Sequence, residues 1–108
     1  MMIVMDKKYE EALLFDFYGE LLTEKQRAIF EESVLCDLSL SEVAEEHGIS
    51  RQGVHDTVRR CAALLASYEE KLKLVEKFIR IKQYAGDIIR LTGDEEVRKK
   101  AEQILEEL

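Results

Sequence analysis

The chain has no proline and no tryptophan, and only five glycines and two cysteines among its 108 residues. Few residues are therefore left to punctuate a turn-rich β fold. No apolar/polar alternation of period two, bounded by turn residues, persists anywhere. Two cysteines 25 positions apart, Cys36 and Cys61, make no disulfide framework. No uninterrupted run of about 18 apolar residues exists, which excludes a membrane-spanning helix. The opening MMIVMDKKYEE has no basic stretch ahead of its apolar residues and no small-residue cleavage site behind them. A secretory leader is not expected there, and the chain reads as cytoplasmic. Positive charge is also short: 16 Lys+Arg against 23 Asp+Glu leave a net charge of −7. A generally basic nucleic-acid coat is excluded, because the overall field repels phosphate; any such binding needs a local patch.

What is present favours helix. Leu, Ala, Glu and Lys abound, and 46% hydrophobic residues is too apolar for a disordered acidic chain. The expectation is all-α, a single domain over residues 1–108 around one small core.

The first helix is expected over about Lys7–Leu22, with Tyr9, Leu13, Phe17 and Leu21 as its apolar stripe and Leu14 and Tyr18 widening it. Gly19 weakens its end. Thr23 and Gln26 fit a capping box that opens a second helix to about Cys36. Ser39 and Glu42 form another, ahead of a short helix to about Glu46. Gly48 can take the left-handed conformation that stops it. Ser50 can cap the next helix, Arg51 to about Ala66, on which Val54, Val58, Cys61 and Leu65 share a face. Beyond Ser67 an apolar arc continues to Leu91, with Leu74, Phe78, Ile81, Ala85 and Ile88 in one stripe and Leu72, Val75 and Ile79 in its neighbour. That arc is broader than one partner helix covers. Thr92-Gly93-Asp94 stops it and caps a last helix, Glu95 to about Glu107.

The segment from about 39 to 66 has the plan of a helix-turn-helix, followed by a helical extension over about 67–108. Ala44 permits a close crossing, Ile49 and Val54 plug the angle, and Ser50 leaves outward-pointing N–H groups that suit a phosphate. In such a unit the second helix enters the major groove. The outward residues are Arg51, Gln52, His55 and Asp56, with Arg59 and Arg60 nearer the backbone. Arg and Gln suit bidentate contacts to guanine and adenine edges. Between Ser50 and Ala66 there are three arginines against one acid, a basic exception within an acidic chain. Thr57 stands in a slot where many such units are apolar, with Val58 taking over. A charged outward face is also what any solvated helix shows, so spacing alone leaves both readings open.

The stretch LLFDFYGELLTEKQRAIFEE, then DLSLSEVAEEHGISRQGVHDTVRRC and YEEKLKL, resembles the YlxM-like family of small bacterial helix-turn-helix proteins. Its most specific pieces are FDFYG at Phe15–Gly19, LLTEKQ at Leu21–Gln26 and SRQ-x-V at Ser50–Val54. Leu22–Leu65 also looks like region 4 of bacterial sigma factors. The resemblance implies a sigma region 4-like helical bundle with added C-terminal helices and a DNA-binding role. It also implies a part in the signal recognition particle pathway, because such genes lie beside those of the particle's GTPase and receptor. Gly53 stands where the family usually has Ala, and His55 where it has Tyr, so a base preference does not carry over to this chain.

Other chemistry is sparse. Cys36 and Cys61 lie beside apolar residues and read as small buried hydrophobes, not zinc ligands. His47 and His55 are eight apart and form no metal-binding pair. No Gly-rich phosphate loop is present, and neither an enzyme nor a cofactor is expected. FDFY at Phe15–Tyr18 reads as core rather than a base-stacking platform.

Two functions remain: a DNA-binding regulator, or a protein-binding adaptor of signal recognition particle components, the particle's RNA being a third target. A homodimer through the helices after Ser67 is expected. Met1–Ala66 carries seven basic and 13 acidic residues, and Ser67–Leu108 nine and ten, so the acidity lies mostly in the half that holds the helix-turn-helix.

Overall fold

A computed structural model describes residues 6–108; residues 1–5, the apolar part of the opening stretch considered above for a leader, lie outside them. The described residues form six α-helices and no strand, the all-α class expected. None of these helices is long and apolar enough to cross a membrane. The chain divides into two compact units, one ending at Leu72 and one spanning Lys73–Leu108.

In the first unit, α1 (Lys7–Tyr18) starts at Asp6, whose carboxylate accepts a hydrogen bond from the Lys8 backbone N–H at 2.8 Å. It gives way at Gly19 to a 3₁₀ turn, Gly19–Leu21. α2 (Glu24–Phe30) opens on the expected capping box: Gln26 N donates to Thr23 Oγ1 at 3.2 Å, and Thr23 N to Gln26 Oε1 at 3.0 Å. It continues not as α-helix but as a π turn, Glu31–Leu35, which the apolar spacing does not announce. Asp37, at φ 56°, ends it. α3 (Leu40–His47) has the second capping box, between Ser39 and Glu42, and stops at Gly48, φ 64°. α4 starts at Arg51 as expected but runs past Ala66 to Leu72.

Ile29, Val43, Ala44 and Val54 form a buried cluster, with Leu38, Ile49 and Val58 packed on it. Tyr18, Phe30, Cys61 and Leu65 are also withdrawn from solvent. The α1 stripe differs from expectation. Leu13 and Tyr18 are buried, but Tyr9 and Leu21 are 51% and 58% exposed and Phe17 36%, so the buried face is rotated away from Tyr9, Phe17 and Leu21. Phe15 follows that rotation and stacks on Phe30, with ring centroids 5.7 Å apart. Of the FDFY segment, Tyr18 is core and Phe15 half-buried, while Asp16 and Phe17 are exposed, so the core reading holds only in part. Tyr18 packs on Tyr68 at 6.0 Å and its hydroxyl donates to Glu69 Oε1 at 2.6 Å, tying α1 to the last turns of α4. Cys61 is buried as expected; Cys36 is exposed, because it falls where the π turn ends and the chain leaves the core.

In the second unit, α5 (Leu74–Leu91) and α6 (Glu95–Glu106) form a hairpin. Thr92 Oγ1 accepts from Asp94 N at 3.0 Å, and Asp94 Oδ1 from Glu96 N at 2.9 Å, the stop and cap expected there. Ala85 and Ala101 are buried. Ile81, Ile88 and Leu91 on α5, and Val97 and Ile104 on α6, are exposed, as is Leu108 beyond α6. The broad arc is only partly covered.

Counted at this division, the residues through Leu72 carry eight basic and 15 acidic side chains, and Lys73–Leu108 eight of each. The whole net charge of −7 lies in the first unit.

Candidate nucleic-acid interface

The turn between α3 and α4 is fixed by backbone bonds. Ile49 N donates to Ala44 O at 3.0 Å across Gly48, the closure that a left-handed residue allows at a helix end. Ser50 Oγ then accepts from Gly53 N at 2.9 Å and caps α4. A β-carbon on Gly53 would stand 3.2 Å from that Oγ, so glycine here leaves room for the cap.

With α4 anchored through Val54, Cys61 and Leu65, the other side of the helix faces outward. Arg51, Gln52, His55, Asp56, Arg59 and Arg60 are all exposed, and their spacing of one and four residues keeps them on one continuous face. Gln52 Nε2 donates to Asp56 Oδ1 at 2.9 Å. Among the described residues no carboxylate lies within ion-pair distance of Arg51, Arg59 or Arg60. Arg51, Gln52 and His55 share a shallow hollow with Leu40 and Ser50. Asp56, Arg59 and Arg60 line another. Arg27 lines a third hollow, among Asp16, Glu20 and Glu31, where its charge is locally opposed.

At Cys61 burial pushes the thiol up, outweighing the nearby Arg60 charge, and Sγ lies 3.8 Å from Gln26 O.

A group that sequence spacing does not show gathers at the end of α3. His47 Nε2 lies 2.9 Å from Glu32 Oε2, and ligand atoms of Glu32, Glu46 and His47 all fall within 4.8 Å of one another. Glu46 is exposed; the Glu32 and His47 side chains retain 20% and 17% exposure. The Glu32–Glu46 contact holds the first carboxyl below its ordinary range, helped by His47, and raises the second, since both cannot ionise freely side by side. Glu32 is 15 positions from His47, and only the fold brings them together.

An all-helical bundle in which a capped short helix, a left-handed glycine and a capped second helix follow in order defines a helix-turn-helix protein. The family described as "Putative helix-turn-helix protein, YlxM / p13 like" matches residues 5–108, and the chain belongs to this family, UPF0122. It is 43% identical over 114 residues to a UPF0122 protein of Acetivibrio thermocellus, covering 96% of this chain and 97% of the relative. A UPF0122 protein of Bacillus cereus strain AH187 is 41% identical over 104 residues, 95% of this chain and 94% of that one. One from Shouchella clausii reaches 52% over 75 residues, 69% of each.

Proposed function

We propose that the chain is a non-catalytic regulatory protein that binds DNA in the cytoplasm by laying α4 in the major groove. The observation that carries this reading is a capped helix whose exposed face presents three arginines free of carboxylate partners among the described residues, in a chain of net charge −7. Arg51, Gln52, His55 and Asp56 stand nearest the helix start, where base edges are read; Arg59 and Arg60 follow about two turns beyond Arg51, where phosphates pass. The Gln52–Asp56 bond holds the glutamine amide in one orientation, and Asp56 can accept from a cytosine amino group.

A second copy would supply the other reading head. The apolar residues left exposed on α5 and α6 support a homodimer through that hairpin. Residues 73–91 carry five basic and two acidic side chains, and 94–108 three and six, so α5 of one copy laid on α6 of its partner pairs opposite charge.

Fluorescence anisotropy with a mixed-sequence duplex at low salt tests the reading. Arg51→Ala and Arg59→Ala are each expected to weaken binding, with a salt slope of about −2 per protomer if Arg59 and Arg60 meet phosphate. Unchanged affinity in both variants refutes it. Light scattering at micromolar concentration tests the dimer: twice 12.6 kDa is expected, and Ile88→Glu should return the mass to that of one chain.

A second reading is an adaptor for signal recognition particle components. It is favoured by the concentration of all the net negative charge in the unit that holds the helix-turn-helix, a surface suited to a basic protein domain. Retention of the particle's GTPase by the immobilised chain, with no duplex binding, would decide for it. Retention of the particle's RNA instead would place the arginines on shape and backbone contacts.

A further inference from the structure

We propose that Glu32, Glu46 and His47 form a binding site for one divalent transition-metal ion of the zinc class. The three side chains come from two elements, the π turn Glu31–Leu35 and the last turn of α3, and their ligand atoms lie within 4.8 Å of one another. One imidazole nitrogen and two carboxylate oxygens are a donor set that zinc accepts and that suits magnesium or calcium poorly.

The polar accounting of this corner also points to a ligand. Two carboxylates face each other, and neither can donate a hydrogen bond while both are ionised. Glu32 Oε1 is buried without a partner. Among the described residues the other buried side-chain oxygen in that condition is Ser33 Oγ, next to it in the same turn. Such atoms in a folded protein call for a water or an ion, and π turns inside helices gather at functional sites. A cation between Glu32, Glu46 and His47 offsets the repulsion of the carboxylates, and Glu32 bound through both oxygens would give Oε1 its partner as well. Exposure of Glu46 leaves a coordination position open to water. Each ligand atom binds the ion in its deprotonated form, so any proton it carries leaves to solvent.

The position gives the ion a consequence. His47 immediately precedes Gly48, the turn of the helix-turn-helix, so the metal ties the π turn after α2 to that turn. Zinc is then a staple on the unit that carries α4.

The test is calorimetric titration of zinc chloride into the full chain in a phosphate-free buffer, with thermal unfolding beside it. One equivalent per chain is expected, with a raised unfolding midpoint. His47→Gln and the exposed Glu46→Gln should each weaken binding by more than the ~10-fold that loss of an outer-shell partner costs. Glu46→Gln should also abolish the midpoint rise while leaving the circular dichroism of the metal-free chain unchanged. Cys36→Ser and His55→Ala should bind as the parent does, and the cobalt-loaded chain should lack a thiolate charge-transfer band. Equal binding by Glu46→Gln, loss of binding in Cys36→Ser, or no midpoint shift in excess zinc each overturn the site.

Discussion

In the unit ending at Leu72, side chains as large as Tyr18, Phe30, Ile29 and Leu65 are fully withdrawn from water. In Lys73–Leu108 the tightest burial belongs to alanines, Ala85 and Ala101, while Ile81, Ile88 and Ile104 are about two-fifths exposed. Small residues let two helices approach closely but remove little apolar area, at about 25 cal/mol per Å². The first unit holds its own interior. The second is an amphipathic hairpin whose outer apolar face is left exposed, and its charge is balanced. The largest expected effect tests this difference directly. Leu65→Ala should cost about 2–5 kcal/mol in guanidinium unfolding, the range for emptying a packed leucine site. Ile104→Ala should cost under about 1 kcal/mol in dilute solution, since a half-exposed side chain loses little there. Its cost should grow with protein concentration if a second copy covers that face. Equal costs at low concentration would erase the distinction.

Next in size is the polar tie inside the first unit. The Tyr18 hydroxyl is buried and gives its hydrogen bond to a carboxylate 51 residues away. Removing it in Tyr18→Phe takes one hydrogen bond from a half-buried acceptor, and bonds to charged groups contribute about 1.5–3 kcal/mol. A loss near zero would mean that water replaces the hydroxyl, and that the end of α4 is looser than its packing on α1 indicates.

Most of the helix-turn-helix is legible in the order of the amino acids, because its signals are local. Thr23 with Gln26, Ser39 with Glu42, Gly48 and Ser50 each act within a few residues, and each makes the expected bond. The face of α4 follows equally from Val54, Cys61 and Leu65. Three features are hidden for one shared reason: tertiary context decides them. The phase of α1 turns on Phe15 meeting Phe30, so Tyr9 and Leu21, sound by spacing, lie outside. The break at Lys73 uses a left-handed lysine, φ 54°, with no glycine there to mark it. The π turn brings Glu32 to His47, which no spacing rule relates.

Two glycines extend the comparison at smaller magnitude. Gly48 sits at φ 64°, so an alanine there is strained by about 1–2 kcal/mol although nothing crowds its β-carbon. Gly86 lies inside α5 with open space around its β-carbon and no positive φ. Alanine there should stabilise α5 by about 0.5–1 kcal/mol. Thermal unfolding of the two variants should therefore move in opposite directions, and a destabilising Gly86→Ala would place a close neighbour on that face, such as a second copy.

The smallest expected effect is an absence of change. Cys36 is exposed and should react with a maleimide at once. Cys61 is buried, and desolvation pushes its thiol up, so it reacts only when the first unit opens. Its labelling rate, in the fast-reclosing regime, follows the free energy of that opening alone. Leu65→Ala should therefore speed Cys61 labelling by about 30-fold or more, the factor for a loss of 2 kcal/mol. Ile104→Ala and Gly86→Ala should leave the rate where it was if the two units open independently. Acceleration by Ile104→Ala would show that the hairpin's apolar face carries part of the first unit's stability, and the division at Leu72 would then be one of contacts but not of cooperativity.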